Sequence, residues 1–133
     1  MSGARWTKSA TTIFNIGYHF IWCPKYRRRV LTGEVAERLK ALLLEKANQI
    51  QVEIVQLEIM PDHVHLFVKA TPVNSPHHIV QQFKGYTSRV IRIEFPHIKS
   101  RLPSLWTRSY YCESAGHISE STVRKYIEEQ KNR

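Results

Sequence analysis

Two histidines stand one residue apart in the run Asp62-His63-Val64-His65-Leu66. Neutral imidazoles are good ligands for divalent metal ions, and residues i and i+2 of a β-strand project from the same face. A strand over 63–69 puts Val64, Leu66 and Val68 on one face and both imidazoles on the other. There they can bind one cation without disturbing a core. An H-x-H run also arises by chance, and solvent-facing histidines are commonly inert. Asp62 is placed to orient a histidine ring by hydrogen bonding, or simply to form the turn before the strand.

A second pair lies near the C-terminus. Tyr126 and Gln130 are i and i+4, so on a helix they share one face a turn apart, beside an apolar stripe of Val123 and Ile127 that can dock it. A tyrosine on such a helix is more often packing than chemistry. Yet a phenol and an amide oxygen on one face can supply a nucleophile and a metal ligand together. Attack of a phenolate on phosphorus stores the broken bond as a phosphotyrosine that can be rejoined, whereas water only hydrolyses. A free phenol titrates near pH ~10, so this attack needs a cation that polarises the phosphate and stabilises charge in the transition state. Tyr110 and Tyr111 are rival nucleophiles, of which a strand lets at most one face a metal. No general base stands out.

Charge points the same way. The 133 residues carry 20 Lys and Arg against 11 Asp and Glu, a formal net charge of +9. Such a surplus favours polyanions through counterion release and disfavours a neutral metabolite, although a solvated basic surface is the plain alternative. Lys25, Arg27, Arg28 and Arg29 form the densest cluster. Lys84, Arg89 and Arg92 are expected on the polar side of a helix, where they can contact phosphates. Tyr26 and Tyr86 lie among these charges, where unpaired bases can stack. Two distant cysteines, Cys23 and Cys112, form no C-x-x-C and suit a reducing compartment. With no signal sequence and no apolar run of spanning length, a cytoplasmic protein without membrane contact is expected.

The elements that must position these groups follow from periodicity. Alternating apolar residues predict strands over 13–23, 55–59, 63–69 and 105–112. Helical spacing predicts helices over 33–49, with Thr32 as cap, and over 76–95, with Ser75 as cap and Pro96 as stop. Ser119 caps a last helix reaching Gln130. The order β-α-β-β-α-β plus a terminal helix predicts an α+β fold. It is a ferredoxin-like or RRM-like antiparallel sheet with helices on one face, within a single domain over 1–133. His19 is left open as a possible companion of the histidine pair. His77 and His78, adjacent on a helix, diverge and are read as surface residues.

Four blocks, YHFIWCPKYRR (18–28), MPDHVHL (60–66), FKGYTSR (83–89) and KYIEEQ (125–130), together resemble the HUH single-tyrosine transposases of the IS200-like type. (HUH denotes His, hydrophobic, His.) The likeness runs in order along nearly the whole chain. It implies a homodimer that recognises single-stranded DNA hairpins at mobile-element ends and cleaves and rejoins single strands through a 5′-phosphotyrosine, with Mg or Mn as cofactor. It further implies that His63 and His65 hold the metal, Tyr126 is the nucleophile, Gln130 is the third ligand, and the tyrosine helix can act in trans. Other readings are a domesticated relative acting on repeated chromosomal hairpins, a replication initiator, a non-catalytic single-strand-binding module, and a metal-dependent phosphoesterase that uses water.

Overall fold

The computed structural model describes residues 7–8, 13–114 and 119–130. Two short strands, β1 (Thr7–Lys8) and β2 (Ile13–Phe14), pair with each other. They lead into β3 (Ile16–Trp22), a 3-10 turn (Lys25–Arg27), α1 (Gly33–Ile50), β4 (Glu53–Met60) and β5 (His63–Ala70). The chain continues through α2 (Pro76–Glu94), α3 (Pro96–Arg101), β6 (Tyr111–Glu113) and α4 (Glu120–Glu129). The main sheet is four-stranded in the order β4-β5-β3-β6, antiparallel throughout. This is the α+β architecture expected from the element order.

Alternation divides the sheet into two faces. Phe20 and Trp22 of β3 and Val64, Leu66 and Val68 of β5 are fully buried against α1, α2 and α3. Leu39, Leu42 and Leu43 of α1 and Ile79, Val80, Phe83 and Ile91 of α2 close this core from above. Each such side chain contributes about 1.5–3 kcal/mol by leaving water. The opposite face is covered by α4, where Ile127 packs on Ile21 and Cys23 with Val123 beside it. Among the described residues the terminal helix is the one helix on the face that carries the histidines.

Three expectations need correction. In β4 a bulge between Ile54 and Gln56 makes Val55 the extra residue. Val55 is 52% exposed, and Ile54 takes its place against the core with Leu57 and Ile59; a bulge shifts the period-2 phase, which simple alternation misses. The strand expected over 105–112 contracts to Tyr111–Glu113. Upstream of it only Trp106 makes a bridge, to Pro24. Pro96 does end α2, but it also opens α3, since a proline at the first helical position loses no hydrogen bond. The helix caps at Ser75 and Ser119 form as expected, accepting from the His78 and Thr122 amides, whereas Thr32 makes no side-chain cap bond. Among the described residues no helix is long and apolar enough to cross a membrane.

Gly17 admits the Phe67 ring over the sheet. A Cβ there would stand 2.8 Å from Phe67 Cζ and 2.9 Å from Cε1. That ring is itself stacked on His19 at a centroid distance of 4.4 Å, which limits its retreat. Gly17→Ala is therefore expected to lower stability by about 1–3 kcal/mol in urea unfolding. Phe67→Leu in the same chain should restore much of the loss. Additive losses in the double variant would refute this origin.

Candidate active site

Register brings the candidate histidines together on the sheet face that α4 covers. Residues paired across an antiparallel ladder point to the same side. His65 sits opposite Ile21 on one flank and Glu58 on the other, and His19 sits opposite Phe67. His19 is thus the diagonal neighbour of His65, and its Nδ1 lies 3.1 Å from His65 Nε2. On the other ring edge, His65 Nδ1 lies 3.3 Å from Glu58 Oε1. Burial, then the neighbouring His19, pull the His65 pKa below the usual imidazole range against the opposing Glu58 carboxylate. The ring is therefore neutral at pH 7 and retains a lone pair.

His63 is oriented by a different carboxylate. Its Nδ1 donates to Asp62 Oδ1 at 2.9 Å, while Asp62 Oδ2 accepts from Arg27 Nε at 2.9 Å. Burial works to raise the Asp62 pKa, but the hydrogen bonds from His63 and Arg27 outweigh it and hold the group below the ordinary carboxylate range. With Nδ1 committed, Nε2 is the His63 atom left to serve as a ligand, an arrangement typical of carboxylate-oriented metal histidines. His63 and His65 both line a cavity of about 630 Å³, together with His19, Arg27 and Glu58.

Arg27 reaches Asp62 because its backbone is bent backwards. Tyr26 and Arg27 have φ of 58° and 53°, two successive non-glycine residues in the left-handed region. Each such residue costs of order 1–3 kcal/mol. The turn is held by Lys25 N–H to Leu105 O and Arg27 N–H to Pro24 O, both 2.8 Å. Lys25 stands over the Tyr26 ring at 5.2 Å, and Tyr26 is 43% exposed. Arg28 and Arg29 are exposed beside it.

The far wall of the cavity is α4, through Val123, Arg124, Ile127 and Glu128. Tyr126 and Gln130 do share a helical face, and both side chains of that face are bonded to Ser109 on the β6 side. Ser109 Oγ donates to Gln130 Oε1 at 2.8 Å and lies 3.0 Å from the Tyr126 hydroxyl. Since the Ser109 hydrogen goes to Gln130, the phenol is the donor in the second bond. Gln130 is buried, Tyr126 half-buried, and neither lines the cavity. Among the described residues the phenol lies against Tyr111, Ile21 and Ser109, outside the lining of the cavity that holds the imidazoles. Among the described residues no group of three or more His, Cys, Asp or Glu side chains is gathered to hold a metal ion. The donor set fits a cation at His63 Nε2, and at His65 Nε2 once the His19 contact opens.

Several expectations about single residues change. Lys84 is not on the polar side of α2. It is buried, and its ammonium donates to the carbonyls of Thr107, Arg108 and Ser109 at 2.7, 3.3 and 3.0 Å, so it has no N–H bond left for a phosphate. Arg92 is also turned inward, to Leu102 O at 2.9 Å. Arg89 remains exposed, over the Tyr86 ring at 5.5 Å. Tyr86 is hydrogen-bonded to Glu45 and carries Lys46 on its face at 4.5 Å, on the helical layer rather than beside the cavity. Tyr110 packs against the core and bonds His77 Nδ1 at 3.0 Å; Tyr111 donates to Glu113 at 2.6 Å. Burial, with lesser help from Asp62, pushes the Cys23 thiol up to about 12, which removes it as a nucleophile. Ser109 and Glu58 were not singled out by the sequence. Glu58 is legible only once the register pairs it with His65, and Ser109 belongs to an irregular segment with no periodic signal.

A family model described as "Transposase IS200 like" matches residues 12–130. The chain belongs to the IS200-like transposase family. It is 39% identical over 120 residues to the ISDra2 transposase TnpA of Deinococcus radiodurans, covering 89% of this chain and 86% of that protein. The transposase for insertion sequence element IS200 of Salmonella typhimurium is 28% identical over 123 residues, 91% of this chain and 80% of the relative. A crystal structure of a Deinococcus radiodurans protein described as a transposase superposes with a TM-score of 0.86 at 38% identity, over 93% of this chain and 97% of its own. The structure of a REP-associated tyrosine transposase bound to a REP hairpin has the same fold, with a TM-score of 0.57 at 12% identity, over 91% and 68%. As an IS200-like transposase the protein acts in DNA strand transfer and in the transposition of insertion sequences.

In this transposase the buried Lys84 ties the 107–109 segment to α2. Burial pulls its pKa from 10.5 to about 8, with a small opposing pull from Cys23. The folded chain thus sheds this proton before the unfolded chain does, so between about pH 8 and 10.5 the unfolded state binds more protons. The cost of the buried charge is present below that window and is relieved as pH rises through it. Compared with Lys84→Met, the wild type should gain stability from pH 7.5 to 9.5 in urea titrations. Lys84→Met should be destabilised at pH 7.5 by about 1–3 kcal/mol, having left carbonyls unpartnered. Parallel pH profiles for the two proteins would refute the assignment.

Proposed function

We propose that this transposase cleaves and rejoins single-stranded DNA at insertion-element ends, with Tyr126 as nucleophile and His63, His65 and Gln130 as ligands of a divalent cation, Mg or Mn. The observation that carries the reading is the docking of α4, through Ile127 and Val123, on the very sheet face that presents the two imidazoles. Tyr126 Oη attacks the scissile phosphorus, the P–O3′ bond breaks, and the 3′-oxygen leaves with a proton. The 5′-phosphate stays on the tyrosine, and attack by a new 3′-hydroxyl reverses the step without outside energy. The cation, when bound, polarises the phosphate and stabilises the charge that develops on it. Asp62 and Glu58 hold the two rings in the tautomers that offer ligand lone pairs, and Ser109 holds the phenol and amide together on α4.

Because the Tyr126 hydroxyl is bonded to Ser109 and lies outside the lining of the imidazole cavity, the reading requires that α4 roll or that a partner supply it. We favour a homodimer whose sites are completed in trans, as the family resemblance implies. Hairpin recognition belongs to the same proposal, supported by the REP-hairpin-bound relative of the same fold and by the net charge of +9.

Labelled single-stranded oligonucleotides incubated with the protein and Mg should yield a covalent adduct on a denaturing gel. The adduct should be lost in Tyr126→Phe and kept in Tyr110→Phe. A binding module or a water-using phosphoesterase gives none. His65→Ala should abolish cleavage while hairpin binding, which rests on backbone charge, falls by less than about threefold; parallel loss of binding would contradict this division. Mixing Tyr126→Phe with His63→Ala protein should restore cleavage if sites are composite. Absence of restoration despite proven subunit exchange would remove the trans arrangement.

A further inference from the structure

Arg27 occupies a position that the fold goes to some length to create. Two successive left-handed residues turn it inward, and its Nε is fixed on Asp62, the carboxylate that also holds His63. A guanidinium bonded through Nε keeps an edge of two parallel Nη–H bonds, the shape that grips two phosphate oxygens. No further protein partner for those amino groups is found among the described residues. Arg27 is also the junction of two concavities. One is the imidazole cavity. The other, of about 430 Å³, is lined by Tyr26, Arg27, Arg28, Arg29, Asp62 and Arg101. Four arginines against a single carboxylate give this second concavity a positively charged lining, and the exposed Tyr26 ring is a surface on which a base can stack.

Resting on the strand-transfer reading above, we propose that Arg27 is the clamp on the scissile phosphate. Its Nη edge binds the two non-bridging oxygens beside His63, while the flanking strand runs through the arginine-lined channel, with Arg28, Arg29 and Arg101 on the neighbouring phosphates. Arg27 touches the reacting group and is in that sense catalytic. The other three position the strand. Asp62 serves both parties, since the one carboxylate sets the His63 ring and the Arg27 fork in a fixed relation. This gives a physical reason for a backbone conformation that is costly everywhere else.

The test separates contact from mere structural support. Binding is measured without divalent metal, in a Tyr126→Phe background, on single-stranded oligonucleotides drawn from the DNA flanking the gene. Each phosphate in turn is replaced by an uncharged methylphosphonate. At one position the wild-type Arg27 protein should lose roughly tenfold or more in affinity, the scale of a charge-assisted hydrogen bond, while Arg27→Gln loses little further. At every other position the two proteins should lose the same factor. A general disturbance of the site by the substitution cannot produce coupling confined to one phosphate. Arg27→Lys, which keeps the charge but not the fork, should show partial coupling and guards against misfolding of the Gln variant. The coupled position should coincide with the bond cleaved in the Tyr126 protein. Additive losses at all positions, or coupling at a phosphate remote from the cleaved bond, overturn the clamp. Coupling at a single phosphate with no covalent adduct ever formed would leave the clamp standing and sink the strand-transfer reading instead.

Discussion

Everything in this molecule hangs on the register of β5 between β3 and β4. Its side chains alternate, so that Val64, Leu66 and Val68 enter the core and His63 and His65 emerge on the far side. A slip of one residue would turn both imidazoles into the main core and three large apolar side chains out of it. The hydrophobic effect that fastens the sheet to α1 and α2 therefore fastens the histidine pair as well. The apolar half of the strand carries the energy. The polar half is positioned at no added cost.

The second layer is thinner and built differently. α4 is held by a small apolar cluster of Ile21, Cys23, Ile127 and their neighbours, and by the Ser109 contacts to Tyr126 and Gln130. Those contacts rest on a segment that is neither strand nor helix, whose carbonyls are satisfied by the buried ammonium of Lys84. Among the described residues α4 thus meets the sheet through a cluster separate from the main core.

Carboxylates connect the basic residues to this scheme. Glu58 and Asp62 each take one ring nitrogen of a histidine, and Asp62 also takes Arg27. In a chain with a formal net charge of +9, these two acids neutralise little. What they contribute is direction, fixing which nitrogen of each ring turns from its carboxylate and which edge of a guanidinium is left unbonded.

The amino-acid sequence determined the order of the main elements, though not β1, α3 or the division of the 13–23 strand into β2 and β3; it also determined the two-faced character of β5, the caps at Ser75 and Ser119 and the shared face of Tyr126 and Gln130, because each follows from periodicity or from a local hydrogen bond. The four motif blocks also carried the family. What is not local in the chain was invisible there. The pairing of His65 with Glu58 and His19 comes from strand register, the exposure of Val55 from a bulge, and the inward turn of Lys84 from a loop that contributes three carbonyls. The direction in which the Tyr126 face points was likewise decided by the tertiary structure, since an amphipathic helix specifies which stripe is buried but not against what, nor which way its flanking residues look. Contacts between residues distant in sequence depend on how whole faces pack, and only the folded chain brings those faces together.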